Sequence, residues 1–475
     1  MAKPEAARQA TLIEGDIRRA LVSLGVPMSF GIVFILAVSL VDTYFVGRLG
    51  TDELAAISFT FPVVMVVTSA TLGLGVGTTS AIARAIGAGD ERRVRQLTTH
   101  ALILALAVVA ALSLLGLICQ RWLFARLGAE GVLLEIVLEY MTIWFAGSAF
   151  LVVPMIGSGA MRATGDARTP MLIMMSGAIA NGILDPMFIF GFGPIPAMGV
   201  RGAALATLAS RVFTLSAALW VLGWRMKLLE FRVPRMSELI ASWRAILSVG
   251  LPASLTNMFS PLAAGVLTAL IADYGKAAVA AWGVGTRLEM LVLIAPLALG
   301  SAMTPFVGQN WGAEREDRVG RALVIARRFA IAWGLGGWLV LIAFGGWVAT
   351  IFSSDAAVHD PLQRFFWIVP AGYAGVALVR VIGATFNAID QALRATVISA
   401  LQSLLLAVPL ALLGGALWGL MGIFAGVAAA SLLTGVIANG WAGSLFAGAK
   451  AEADAELVAT EPSEPVANPN TTPRS

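Results

Sequence analysis

The chain has 475 residues, 58% of them hydrophobic and only 13% charged, with a net charge of +4 at neutral pH and a mean hydropathy of +0.85. Soluble proteins carry about 25% charged residues, so a fully water-facing surface is excluded and long apolar stretches must face lipid. These stretches are about 20 residues long without period-two alternation; that excludes a β-barrel and selects helices, whose backbone groups also pair internally in lipid.

In chain order, residues 1–20 hold Lys3, Arg8, Arg18 and Arg19 among scattered apolar residues. They are expected to form a cytoplasmic N-terminal segment without a cleavable signal. Apolar windows of about 19 residues then predict helices at 25–47, 54–82, 94–120, 131–156, 168–190 and 199–223. A basic cytoplasmic linker at 224–244 follows, then helices at 245–272, 277–304, 319–346, 361–385, 394–416 and 418–446. The expected domains are an N-lobe over 21–223, a C-lobe over 245–446 and a disordered cytoplasmic tail over 447–475, which is acidic and then rich in Pro, Asn and Thr.

Helix 1 contains Pro27, which removes one helical hydrogen bond and reads either as a static kink or as a moving hinge. It also carries Asp42 in Ser39-Leu40-Val41-Asp42-Thr43-Tyr44. Helix 2 holds Gly73, Gly75 and Gly77. No strand precedes them and no lysine follows, so they read as helix packing rather than a nucleotide loop. In helix 3, His100 reads as polar packing, and Cys119, the single cysteine, excludes an internal disulfide. Helix 5 carries Asn181 and Asp185, four residues apart and therefore on one face. Helices 6 and 10 carry Arg211 and Arg380, and helix 8 carries Arg287 and Glu289, which are candidate cavity residues.

Placing the N-terminus in the cytoplasm puts about 23 of the 32 basic residues inside and leaves Arg48, Arg121, Arg126, Arg201, Lys276 and Arg364 outside. Both termini are therefore expected in the cytoplasm, with an even number of spans. Trp122, Trp347, Trp367 and Trp418 fall near outer helix ends and Trp220, Trp224 and Trp243 near inner ends, as interfacial anchors.

The two halves repeat. Leu24-Gly25-Val26-Pro27 matches Val249-Gly250-Leu251-Pro252, Gly50 matches Gly275, and Ala55-Ala56 matches Ala280-Ala281. Ile86-Gly87-Ala88 matches Trp311-Gly312-Ala313 and Arg93-Val94 matches Arg318-Val319, all in the one register that carries Pro27 onto Pro252. A register shorter by a single position pairs Gly159-Ala160 with Gly383-Ala384 and Asp166 with Asp390. Six spans per half is even, so the halves share one orientation and are related by an axis along the membrane normal, with a cavity between them.

A carboxylate inside a span costs a few kcal/mol in insertion assays and asks for a reason. An amide beside a carboxylate can share a proton or coordinate a cation. The alternative is a wet, structural acid at an outer helix end. The repeat helps to decide. In the same register Asp42 pairs with Leu267, Asp185 pairs with an apolar residue between Leu405 and Pro409, and no Asp or Glu occurs from Gln391 to Lys450. The scaffold is duplicated and the acids are not, which assigns ion coupling to the N-terminal half. No Walker, HExxH or GxSxG motif and no metal cluster is present, so the chain is not read as an enzyme. No cofactor is expected beyond H+ or Na+ as the coupling ion.

Several segments resemble the multidrug and toxic compound extrusion (MATE) family. They are Pro27, Val41-Asp42-Thr43-x-Phe45-Val46-Gly47 with Gly50 and Ala55-Ala56, Arg162-Ala163-x-Gly165-Asp166, Asn181-x-x-Leu184-Asp185-Pro186 leading into Ile189-Phe190-Gly191, and Gly199-x-x-Gly202-Ala203-Ala204-x-Ala206-Thr207. Arg287-x-Glu289 and Val307-Gly308-Gln309-Asn310-x-Gly312-Ala313 add to the match in the second half, and the resemblance covers roughly residues 15–445. It implies an all-α integral membrane fold of 12 transmembrane helices in two pseudo-symmetric six-helix lobes. It also implies efflux of cationic or amphipathic compounds in exchange for H+ or Na+, with an N-lobe ion site of Asp42, Asp185 and Asn181, joined by Tyr140 in helix 4. Pro27 would then be a hinge in helix 1. Residues Leu251 to Ala272 contain no acid, which is similar to the branch of the DNA-damage-inducible F proteins.

The expected function is therefore a secondary antiporter that exports drugs or metabolites, acting as a monomer in the bacterial cytoplasmic membrane, with no nucleic-acid partner. A lipid-linked precursor flippase shares the architecture. It would need more basic residues in its cavity than Arg211, Arg287 and Arg380.

Overall fold

The computed structural model describes residues 12–352 and 356–445. The expected disordered tail and the first eleven residues of the expected cytoplasmic segment lie outside the described residues. So do several side chains of the first two helices, that of Asp42 among them.

The described chain is helical, as a backbone in lipid requires. The N-terminal half comprises α1 (Ile17–Gly47), α2 (Thr51–Gly87), α3 (Glu91–Arg126), α4 (Gly131–Ala163), α5 (Arg168–Phe190) and α6 (Gly199–Trp220). The C-terminal half begins with α7 (Met236–Ala272). The next span, α8, is broken: Lys276–Val292 and Ile294–Gly312 meet at a 45° bend. α9 (Glu316–Phe352) and α10 (Ala357–Ala388) follow. The last apolar stretch, Ala392–Leu445, is too long to cross a bilayer once. It reverses at Trp418 and Gly419, where Gly419 adopts φ 62°, a left-handed conformation that glycine supplies without steric cost. The chain doubles back so tightly that the Gly414 and Gly422 backbones touch. Residues 392–417 thus form α11 and residues 420–445 form α12, which gives twelve spans among the described residues.

Most of the tryptophans expected as interfacial anchors, Trp122, Trp220, Trp224, Trp347, Trp367 and Trp418, are exposed on the surface. Trp243 is different: its indole donates to the His100 carbonyl at 3.1 Å.

The repeat expected from sequence is visible as contact symmetry. Gly87 packs on the Gln309 carbonyl, and Gly312 packs on the Arg84 carbonyl. Each partner in the second contact is the repeat mate of a partner in the first. Ala83 and Gly308, themselves mates, pack against each other, so the pseudo-twofold axis runs between them. Only glycine allows backbones this close, because any Cβ at Gly87 or Gly312 would overlap a carbonyl.

The same seam explains the glycines of α2. Gly73 faces Gly250 and Ser254 of α7, and Gly77 faces Ile246 and Gly250. Gly75 turns towards Ile156 of α4 instead. Hydrogen bonds between the halves gather from Ala70 inwards: Ser254 Oγ donates to the Ala70 carbonyl at 3.3 Å, and the others lie closer to the cytoplasmic ends. The outer half of α7 shows exposed Leu255, Leu262 and Val266. The two lobes are therefore closed at their cytoplasmic ends.

Candidate functional site

The periodicity of α5 puts Asn181 and Asp185 one turn apart on its inward face, with Ile179 and Ile183 exposed on the other side. Asn181 Nδ2 donates to Asp185 Oδ1 at 3.0 Å. Asp185 is 0% exposed and Asn181 6%, so this acid is not a wet residue at a helix end. Pro186 follows directly within the helix.

Helix α1 lies along α5 in parallel. Gly31 faces Met174 near the middle, and the Phe45 ring stacks edge-on against Phe190 at 6.2 Å near the outer end. This register brings the backbone of residue 42 to the level of residues 185–187. The side chain of Asp42 itself lies outside the described residues. Tyr140, in α4, is half-buried against the N-lobe core. Pro27 sits inside α1, which continues helical through it. Arg211 of α6 stacks over the Trp144 ring at 5.8 Å.

In the C-terminal half, the mate of Asp42 is Leu267, which is buried in an apolar core with Trp282, Phe365 and Phe424. Arg287 and Glu289, expected as cavity residues, part company. They are two residues apart, and such neighbours do not share a helix face. Arg287 is exposed, whereas Glu289 is half-buried and feels the charge of Arg380 on α10. It also lies within electrostatic range of the Tyr373 hydroxyl, which is buried. Glu289 and Arg380 thus lie within electrostatic range of each other across α8 and α10; sequence spacing could not reveal a neighbour so distant in the chain.

A third polar group, not anticipated from sequence, lies at the cytoplasmic seam. Arg84 Nη1 donates to the Ala388 carbonyl at 2.9 Å, and Ser80 Oγ donates to the Asn387 carbonyl at 2.7 Å. Arg84 also faces Asp390 at 3.7 Å, and Ser248 Oγ donates to the same carboxylate at 2.8 Å. The repeat mate Asp166 does something else: it accepts from the Arg168 and Thr169 backbone N–H groups and caps α5. The only sequence signal for this divergence was the pairing of the two aspartates. Among the described residues no group of three or more His, Cys, Asp or Glu could hold a metal ion.

Comparison with known proteins places this geometry among transporters. The MatE family model matches residues 27–187 and again residues 252–413; its two matches begin at Pro27 and Pro252, the mates that set the repeat register. The chain is 36% identical over 425 residues to an FAD transporter of Shewanella oneidensis, covering 90% of this chain and 94% of that protein. It is 26% identical over 419 residues to the multidrug export protein MepA of Staphylococcus aureus, covering 86% and 90% respectively. Among solved structures, an outward-facing multidrug resistance MATE transporter of the MOP superfamily superposes with a TM-score of 0.85 at 28% identity, covering 93% of this chain and 99% of that one.

Proposed function

Since this chain belongs to the MatE family, a family of multi-pass transporters of the cytoplasmic membrane, we propose that it exports amphipathic small molecules, organic cations included, in exchange for H+ or Na+. The observation that carries this reading is the fully buried Asp185, bonded to Asn181 in only one half of a duplicated scaffold. An ionised carboxylate taken out of water is costly unless something neutralises it. A proton or a sodium ion does so, and the carboxylate then no longer opposes a dry, closed packing of α1 on α5. Asp42, on the adjoining stretch of α1, is the second carboxylate of the proposed site. Tyr140 is a proposed neighbour and Pro27 the proposed point at which α1 bends. Ion release and substrate release would alternate because each favours a different packing of the same helices.

A second reading of the substrate rests on the 36% identity to a protein named FAD transporter. FAD joins two planar ring systems to an anionic pyrophosphate. Arg211, Arg287 and Arg380 would then serve as counter-charges within the membrane, with Glu289 tempering them.

Reconstituted proteoliposomes separate these readings. With a preset pH or Na+ gradient, addition of a transported substrate dissipates the gradient of the coupling ion. Cationic dyes do this under the first reading and FAD under the second. Asp42→Asn should abolish ion-coupled efflux while leaving membrane insertion intact, because losing an intramembrane charge eases insertion. Undiminished coupled efflux in that variant would remove Asp42 from the site.

A further inference from the structure

The cytoplasmic seam contains two arginines that are repeat mates, Arg93 at the start of α3 and Arg318 at the start of α9. Each reaches into the opposite half. Arg93 Nη1 donates to Ser242 Oγ at 3.0 Å and Nη2 to the Ala241 carbonyl at 3.5 Å, in the first turns of α7. Arg318 grips the chain just before α1: Nη1 donates to the Gly15 carbonyl at 3.1 Å and Nη2 to the Leu12 and Glu14 carbonyls, each at 3.4 Å.

Buried side chains support both grips. Gln309 and Asn310 are 0% exposed. Gln309 Oε1 accepts from the Leu12 N–H at 3.2 Å, and its Nε2 donates to the Ala163 carbonyl of α4 at 2.7 Å. Asn310 Nδ2 donates to the Leu12 carbonyl at 3.1 Å and its Oδ1 accepts from Arg318 Nε at 2.9 Å. On the other side, His100 Nδ1 lies 2.8 Å from Ser242 Oγ. Apolar packing follows the same crossing pattern: Leu12, Ile17, Leu21 and Leu24 are buried among Phe306, Val307, Val319 and Leu323 of the C-terminal half.

We infer that Arg93 and Arg318 are a pair of pseudo-symmetric locks, each holding the start of the opposite half's first helix and together keeping the cytoplasmic face shut. The inference rests on the transport reading above, since a lock matters only where that face opens. The groups gripped across the seam are main-chain carbonyls and one hydroxyl; among the described residues none of them is a carboxylate. The grip is therefore a set of moderate hydrogen bonds that can break and reform, unlike a buried ion pair. A guanidinium holds its donors in a rigid fork that spans separated carbonyls, whereas a lysine ammonium gathers its three donors at one point. Both locks must let go when the lobes part on the inside. Arg93 and Arg318 are thus positioning residues for alternating access, acting through α7 and α1.

The test uses the full chain in nanodiscs, with Cys119→Ser and spin labels on Arg168→Cys and Leu393→Cys. These two exposed residues sit at the cytoplasmic starts of α5 and α11, the equivalent helices of the two halves. Electron–electron resonance then reads the inner distance between lobes. Arg93→Ala and Arg318→Ala should each raise the ratio of inside-open to inside-closed molecules, roughly tenfold for each net hydrogen bond lost from the charged group, and the double variant should raise it further. Arg318→Lys should recover only part of the closed population. If Arg318→Ala does not fold, other contacts of the seam serve: Ser242→Ala removes the hydroxyl that accepts from Arg93, and Leu12→Pro removes the N–H that donates to Gln309 beside the Arg318 grip. These should give the same shift. Folded variants whose distance distribution matches the parent's, even with lowered thermal stability, would overturn the locks and leave these arginines a structural role. Transport distinguishes the two levels of the argument: a parent protein that moves no substrate under any gradient sinks the transport reading, whereas unshifted distances in an active parent sink only the locks.

Discussion

At the scale of single residues, the chemistry turns on one carboxylate and one amide. Asp185 is removed from solvent, and the Asn181 amide donates to it across one helical turn. A neutral amide only partly offsets the loss of hydration, because a buried charge needs pairing as well as a hydrogen bond. The donor stabilises the ionised carboxylate, so removing it should strengthen binding of a cation at this position. Asn181→Ala is expected to lower the ion concentration for half-maximal transport by about tenfold, the size of a lost hydrogen bond to a charged group. The maximal rate should change less. Ion titrations of initial rate in proteoliposomes check this, and a fall in maximal rate at unchanged ion dependence would argue against the assignment. The sequence made this pair readable because four-residue spacing in a helix guarantees a shared face. It could not show that Glu289 lies within electrostatic range of Arg380, nor that Arg287 and Glu289 differ in exposure. Those facts depend on the rotation of α8 and α10 about their axes, which no local spacing encodes.

At the scale of elements, the glycine seam sets how closely the lobes can meet. Gly87 and Gly312 each press on a carbonyl of the opposite half. Gly87→Ala is expected to force the seam apart, at a cost of about 1–3 kcal/mol, the usual range for overpacking. Thermal unfolding in detergent and the inner spin-label distance should both respond. Gly265→Ala in α7 has open space around it and should lose no stability, which provides the control. Equal behaviour of the two variants would contradict the close-packing account. The packing role of the glycines in α2 was legible from composition, since small residues without a phosphate-loop context mean close approach. Which glycine meets which neighbour was not legible: Gly75 lies between Gly73 and Gly77 in sequence, yet faces α4 rather than α7. The bend in α8 was not legible either, because its two segments form one apolar run in the sequence.

At the scale of the whole molecule, one repeat register organises the fold. The register that carries Pro27 onto Pro252 aligned motifs in the sequence, separates the starts of the two family-model matches, and relates contacts across the seam. Twelve spans and two halves were thus accessible from hydropathy and self-comparison. The reversal at Trp418 and Gly419 was visible too, because α11 and α12 together exceed a bilayer's thickness. The cytoplasmic clamps were not, although Arg93-Val94 and Arg318-Val319 had been aligned. A repeat identifies equivalent positions without saying that each reaches across to the other half. The duplication also frames the central asymmetry. Asp185 has no acidic mate, and the mate of Asp42, Leu267, is packed in an apolar core. Ion coupling should accordingly depend on the N-terminal half, and the neighbouring charges of Glu289 and Arg380 should affect substrate selection instead. Glu289→Gln is expected to change which compounds are moved, read as altered KM across a panel of cationic dyes and FAD.

The most direct test of N-terminal coupling measures ion flux and substrate flux together in proteoliposomes carrying the parent protein, Asp185→Asn or Glu289→Gln. The expected result is a fixed ion-to-substrate ratio for the parent and for Glu289→Gln, with ion flux lost in Asp185→Asn. A ratio preserved in Asp185→Asn, or abolished in Glu289→Gln, would contradict it.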